Sequence, residues 1–123
     1  MASVGAGNHT YELMENWAKL PEGWVLGQTA IVTDSEDRVY LFNRSEHPLI
    51  VLDKDGNYLN SWGEGVLTDA HGMFIDGDQN LYMPVKNSHV VLKYTREGEL
   101  LMTLGGWDQP SNTGWSGDYN DPA

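Results

Sequence analysis

The sequence has 123 residues, which suits one ordinary domain, and its hydrophobic content of 40% is enough for a packed core. It carries 18 acidic against 7 basic residues, and this net charge of −11 argues against binding to nucleic acid or to an anionic membrane surface, because both attract cationic proteins. The absence of cysteine excludes disulfides, thiolate zinc sites and a cysteine nucleophile, and no apolar run approaches the ~18 residues of a membrane-spanning helix.

Residues 1–27 are predicted to form an arm that precedes the rest of the domain. The first nine residues are small and polar, and we expect them to be frayed. Met1–Gly7 has neither the basic start nor the apolar core of a signal peptide, so no secretory leader is visible and the compartment stays unknown. Tyr11–Trp17 is compatible with a strand or a helical turn, and we favour a strand. Leu20–Trp24 contains proline and glycine and predicts a turn.

The next segment, residues 28–65, consists of four apolar runs separated by polar turns. The predicted strands are Gln28–Thr33, Arg38–Asn43, Leu49–Asp53 and Tyr58–Trp62. The last two flank Lys54-Asp55-Gly56-Asn57, and Asp-Gly between apolar runs is the strongest short signal for a hairpin.

Residues 66–107 repeat this organisation. The predicted strands are Gly72–Ile75, Leu81–Val85, Val90–Tyr94 and Leu100–Leu104. Residues 108–123 are rich in glycine, proline and Asx without an apolar pattern, which indicates a loop or tail.

The two segments are copies of one structural unit. A shift of 42 residues places Ile31–Gly63 on Met73–Gly105 without a gap, so that Asp34 meets Asp76, among others. The other coincidences are Tyr40 with Tyr82, His47 with His89, Gly56 with Gly98, Leu59 with Leu101, and Gly63 with Gly105. Four short antiparallel strands in ~40–45 residues correspond to one blade of a β-propeller. The predicted fold is therefore all-β, with two propeller blades in one chain.

Two blades alone leave sheet faces and edges uncovered. Closed propellers usually have four to eight blades, so the chain is expected either to be part of a longer protein or to form a ring with other copies. Three copies would give a six-bladed homotrimer. In such a ring the Tyr11–Trp17 strand would complete a blade of the neighbouring chain. A two-blade monomer is the alternative, disfavoured by its exposed edges.

The two segments Asn43-Arg44-Ser45-Glu46-His47-Pro48 and Ser61-Trp62-Gly63-Glu64-Gly65, followed by His71-Gly72-Met73-Phe74-Ile75-Asp76, resemble the six-bladed propellers of the NHL class. Within that class the chain resembles bacterial relatives of peptidyl-α-hydroxyglycine α-amidating lyase. The likeness extends from about Trp17 to Gly114 and covers two blades of six. The resemblance implies a C–N lyase that cleaves a peptidyl-hydroxyglycine into a peptide amide and glyoxylate.

The same resemblance implies roles for four residues. His71 matches the first of three zinc histidines in the central channel, and Arg44 matches a catalytic arginine at the tip of the first blade. Ile31 and Met73 match residues whose backbone carbonyls bind calcium. The remaining zinc histidines of the family lie in blades that are not in this chain.

The repeat register adds one observation about His71. Its counterpart in the first unit is Thr29, so this histidine occurs once in two blades. In a homotrimer, three copies of His71 would line one channel, and three imidazoles with an open fourth position are typical of catalytic zinc. Such zinc lowers the pKa of bound water or polarises a substrate oxygen.

Each candidate residue also has a purely structural interpretation. His71 would then be a polar residue at a strand entry that bonds to a loop, and Arg44 a solvated turn residue whose counterpart is Lys86. His47 and His89 recur once per blade, which favours packing over metal binding. The two Asp-rich turns have Tyr58 and Leu81 at the sixth position, where an EF-hand needs glycine, and we read them as hairpin turns.

Two classes of function follow. The first is a metal-binding propeller with zinc and calcium, resembling the amidating lyase, with incomplete or lost activity. A small carboxylate or peptide would be its ligand, bound by Arg44 through paired hydrogen bonds. The second is a non-catalytic NHL-type scaffold or binding module, formed by self-assembly of a two-blade fragment.

Overall fold

A computed structural model describes residues 2–110 and 112 of the chain, which form three antiparallel sheets. The ten strands are β1 (Ser3–Ala6), β2 (His9–Glu12), β3 (Thr29–Thr33), β4 (Val39–Asn43), β5 (Leu49–Leu52), β6 (Tyr58–Trp62), β7 (Phe74–Ile75), β8 (Leu81–Val85), β9 (Val90–Tyr94) and β10 (Leu100–Leu104). A single 3₁₀ turn, Lys86–Ser88, is the one helical element within the described ranges. The predicted tail lies almost entirely outside them.

Sheet 1 has the strand order β3-β4-β5-β6, and sheet 2 has the order β7-β8-β9-β10. Each is a simple meander, so all eight strands that the repeat predicts are present and pair in sequence order. The boundaries agree to within two residues, and the largest difference is at β7, which begins at Phe74 rather than Gly72. The all-β prediction is thus confirmed.

The hairpin turns form because aspartate side chains replace part of the backbone ladder. Oδ1 of Asp34 accepts hydrogen bonds from the N–H groups two and four residues ahead, at 2.9 and 3.0 Å. Asp53 and Asp76 hold their turns with the same pair of bonds. Such Asx turns stabilise a tight reversal locally. The turn chemistry therefore repeats with the sequence.

The core lies between the two sheets. Tyr40, Phe42, Leu49 and Val51 of sheet 1 face sheet 2 and are almost fully buried. The buried residues that meet them from sheet 2 are Leu81, Met83, Val85, Val90, Leu92 and Tyr94. At the outer strand, the Trp62 ring packs on Tyr94 with centroids 5.0 Å apart. The two sheets consequently stack face to face as one unit.

The arm covers the other face of sheet 1. Leu41, Ile50 and Leu52 are buried there beneath Trp17 and Trp24. The strand predicted over Tyr11–Trp17 is wrong in its bounds, because the strand is β2 and ends at Glu12. It pairs with β1 in an exposed hairpin, so the N-terminal residues that were expected to be frayed form a strand instead.

The other face of sheet 2 has no such cover among the described residues. Residues opposite each other in an antiparallel pair share one face, and this rule together with the strand register defines the surface. We call it the open face, and it consists of Phe74, Tyr82, Pro84, Val91, Lys93, Met102 and Leu104. Phe74 is 63% exposed and Leu104 62%. Exposed apolar side chains that lie together on one sheet face often mark an interaction surface.

The architecture is therefore two stacked four-stranded sheets with an arm, and no sheet closes on itself within residues 2–110. The edge strands β3 and β7, one from each sheet, contact each other. No helix of the described chain is long and apolar enough to span a membrane.

Candidate functional site

Arg44 and His71 come together at one end of the stacked sheets. Arg44 follows β4, and its Nε–H donates a hydrogen bond of 2.8 Å to the carbonyl oxygen of Ala70. Ala70 is buried and directly precedes His71, which is exposed. Both predicted site residues thus share one surface, although 27 residues separate them in the chain.

Asn43 shapes the loop that carries Arg44. Its buried side-chain amide donates to the carbonyl oxygens of His47 and Pro48, at 2.9 and 3.3 Å. The N–H of Arg44 donates to the carbonyl of Gln28, at 3.1 Å. The arginine backbone is therefore fixed, while the exposed guanidinium bonds to Ala70 through Nε and its terminal nitrogens make no hydrogen bond to the described residues. This is a preorganised arrangement for an anion.

Two cavities flank Arg44. One, of about 550 Å³, lies between the arm turn and the loop, and its lining includes Trp24, Arg44 and His47. The other, of about 420 Å³, is bounded by the same loop and by Leu67–Asp69. Both are open rather than deep clefts, and a cationic side chain between two clefts suits a ligand that carries a carboxylate.

His71 offers an exposed imidazole at this site, and imidazole is a typical zinc ligand. No side chain of the described residues hydrogen-bonds to its ring, and those residues contain no group of three or more His, Cys, Asp or Glu that could hold a metal ion. A zinc site needs at least three protein ligands. The donors of one chain, as described, do not fit zinc by themselves.

Ile31 and Met73, the predicted calcium residues, lie at the inner edges of the two sheets. Ile31 is on β3 and is 62% exposed, and Met73 immediately precedes β7. Both strands are edge strands, which leave some carbonyl groups unpaired. Calcium prefers oxygen ligands of this kind. Their calcium role stays a prediction.

A charged network joins the two sheets at a position that sequence patterns did not reveal. Oδ2 of buried Asp34 accepts hydrogen bonds from Arg38 Nε at 2.7 Å, from Tyr40 Oη at 3.0 Å and from Arg96 Nη1 at 3.1 Å. Burial alone would raise the pKa of Asp34, but hydrogen bonds from the Arg38 side chain, from the backbone N–H groups of Arg38 and Glu36 and from Tyr40 outweigh it and hold the pKa well below its usual range. Burial and the bond to Asp34 raise the pKa of Tyr40 to about 12.

A second bond crosses the same junction. The Ser35 N–H donates to Oε1 of Gln79 at 2.7 Å. Arg96 and Gln79 both belong to turns of sheet 2, and both reach the turn that follows β3 in sheet 1. The only sequence signal for this junction between the two sheets was the recurrence of Asp34 as Asp76 in the repeat.

The recurring histidines differ in their surroundings. The His47 ring stacks on Trp24 with centroids 3.4 Å apart, and Nδ1 lies 3.3 Å from Oε1 of Glu64. His89 ends the 3₁₀ turn in the left-handed region, at φ 60°, and is exposed. The packing role expected for both histidines is therefore seen for His47, whereas His89 ends the 3₁₀ turn.

Comparison with protein-family models and with curated proteins gives no match for this chain.

Proposed function

We propose that the chain supplies two blades of an NHL-type ring that binds a carboxylate-bearing ligand and holds zinc, like the amidating lyases that it resembles. The observation that carries the proposal is the Arg44 guanidinium, held by the Ala70 carbonyl beside exposed His71. A free carboxylate, such as that of a hydroxyglycine, would bind the remaining guanidinium N–H groups in a paired geometry.

Zinc enters this proposal only through assembly. One chain contributes one copy of His71 and, within its described residues, no group of three or more metal-ligating side chains, so the proposed site takes His71 from three copies around a common axis. Zinc bound there would supply Lewis acidity to a substrate oxygen. Arg44 would orient the ligand and compensate its negative charge. Calcium, if bound, would be held by carbonyl oxygens near Ile31 and Met73 and would have a structural role.

The experiment combines metal analysis with a lyase assay. We expect the purified wild-type chain, dialysed against zinc, to retain about one zinc per three chains, and His71→Ala to retain none. Arg44→Lys keeps the charge but loses the fork geometry, so we expect it to keep zinc and to lower glyoxylate release from a peptidyl-hydroxyglycine by about tenfold to a hundredfold.

His9→Ala is the matched control, since His9 is also an exposed histidine, on the β1–β2 hairpin. It should leave zinc content and activity unchanged. Zinc that persists in His71→Ala, or that is lost equally in His9→Ala, contradicts the zinc role of His71.

A second candidate function is a non-catalytic binding module. The observation in its favour is the apolar open face, which points to association rather than chemistry. A stable assembly of copies without zinc and without glyoxylate release would favour the module over the lyase.

A further inference from the structure

The open face of sheet 2 is the repeat counterpart of the face with which sheet 1 contacts sheet 2. The 42-residue register relates Tyr40 to Tyr82 and Leu49 to Val91, and in each pair the first residue is buried at the junction and the second lies on the open face. The remaining pairs are Val32 with Phe74, Phe42 with Pro84, Val51 with Lys93, Asn60 with Met102 and Trp62 with Leu104. The open face therefore repeats the sheet 1 side of the junction, but no described residue of the same chain packs against it.

The opposite side of that junction also has a repeat counterpart. The residues of sheet 2 that pack on sheet 1 include Met83 and Leu92, and these correspond to Leu41 and Ile50. Leu41 and Ile50 lie on the arm-covered face of sheet 1. One chain thus carries both halves of a second junction, on opposite faces of the stack.

The charges at the two ends of this missing junction are complementary. Within the chain, Arg96 of sheet 2 binds Asp34 of sheet 1. The counterpart of Asp34 is Asp76, and the counterpart of Arg96 is Lys54, an exposed residue in the β5–β6 turn. Asp76 has Lys93 Nζ at 3.8 Å, and its Oδ2 makes no shorter ion pair among the described residues. A cation from a neighbouring sheet would complete the cluster.

We propose that the open face binds sheet 1 of a second copy of this chain, with Lys54 of that copy on Asp76. The contact is head to tail, so repetition gives either a closed ring or a filament. It rests on the ring assembly in the proposed function and names the residues that build it. By the same register, the carboxylate of Asp37 of the second copy would accept the N–H of Gly77, as Gln79 accepts that of Ser35.

In the second copy, the arm covers the face of sheet 1 to which the open face of the first copy would bind. Within one chain the Trp62 ring lies on Gly98, and Trp17 lies on Gly56, which is the counterpart of Gly98. The arm therefore acts as a stand-in for a preceding sheet. Docking exchanges this arm for the open face of another copy, with Leu104 placed on Gly56.

Zero-length cross-linking tests this contact directly. Carbodiimide joins a lysine amine to a carboxylate that touches it, and a mixture of ¹⁵N-labelled and unlabelled chains identifies links between copies by mass spectrometry. With a chelator present, so that zinc has no part, we expect an inter-chain Lys54–Asp76 link and loss of hydrogen-exchange protection at the Lys19 amide, which bonds to the Gly56 carbonyl at 2.8 Å. A chain that stays monomeric, or that associates without this link, overturns the proposal.

Charge variants give an independent readout. We expect Lys54→Glu to lower the association constant at least tenfold, and Asp76→Asn to lower it less while keeping the Oδ1 acceptor of its turn. In the Asp76→Asn background the Lys54→Glu effect should shrink several-fold, because the like-charge contact is gone.

Ser3→Glu combined with Thr10→Glu adds the same two negative charges on the exposed hairpin, so it is the control for net charge and should leave association unchanged. Additive effects of Lys54→Glu and Asp76→Asn, or an equal loss in the hairpin variant, overturn the contact. His71→Ala should leave the cross-link unchanged, so a failed zinc site and a failed interface are told apart.

Discussion

The Asp34 carboxylate lies between two guanidinium groups and a tyrosine hydroxyl, with its side chain fully shielded from solvent. It is the point at which sheet 1 and sheet 2 are joined by charge as well as by apolar packing. Exposed ion pairs contribute little to stability, but an ion that loses its buried partners is costly. We therefore expect this residue to set the response of the fold to acid.

The folded-state pKa of Asp34 lies below the ~3.9 of an unfolded aspartate. Its contribution to the free energy of unfolding is thus present above about pH 4 and is lost as the pH falls through the lowered folded-state pKa. Asp34→Asn should lower the unfolding free energy at pH 7 by about 2 kcal/mol and flatten its decline below pH 4. Urea unfolding at several pH values measures both.

Asp55→Asn serves as the comparison, because Asp55 lies in an exposed turn and its carboxylate makes no ion pair among the described residues. It should unfold like wild type at each pH. An acid profile of Asp34→Asn that superimposes on that of wild type would show that the network has no part in acid stability.

At the scale of elements, the arm is held by an approach that only glycine permits. Gly56 has φ +83°, and a Cβ built there would lie 2.0 Å from the carbonyl oxygen of Trp17. Lys19 Nζ adds a hydrogen bond of 3.0 Å to the carbonyl of Asp55. The arm and the β5–β6 turn are therefore one packed unit.

Gly56→Ala should release the arm and lower the free energy of unfolding by about 2–3 kcal/mol, from backbone strain together with the clash. Faster hydrogen exchange at the Lys19 amide would report the release. Gly65→Ala separates the two causes, because Gly65 has φ +76° but nothing within 4 Å of its Cβ. If both variants lose the same stability, the clash with Trp17 makes no contribution of its own and this prediction is wrong.

How far sequence predicts this structure depends on the range of the interaction. The eight strands of sheets 1 and 2 were predictable because their turns are local, with Asp53 and Gly56 a few residues apart. The position of the arm on sheet 1 was not predictable, since Trp17 meets Gly56 through tertiary packing. The bond between Arg96 and Asp34 spans 62 residues and leaves no local pattern. Arg44 and His71 were named from family resemblance, and their proximity follows from the Ala70 carbonyl.

At the scale of the whole molecule, the chain combines the open face of sheet 2, the arm-covered face of sheet 1 and exposed His71. The buried core between the two sheets stabilises the fold. The proposed chemistry depends on other copies, because zinc needs at least three protein ligands and the described residues of one chain contain no group of three or more His, Cys, Asp or Glu that could hold it. Assembly is therefore the property on which the functional proposal depends.

The solution mass of the pure chain, measured by light scattering together with its zinc content, tests this dependence most directly. We expect the mass of three 13.7 kDa chains, with one zinc for each assembly. A mass of 13.7 kDa at every concentration, without bound zinc, would contradict both the ring and the shared role of His71.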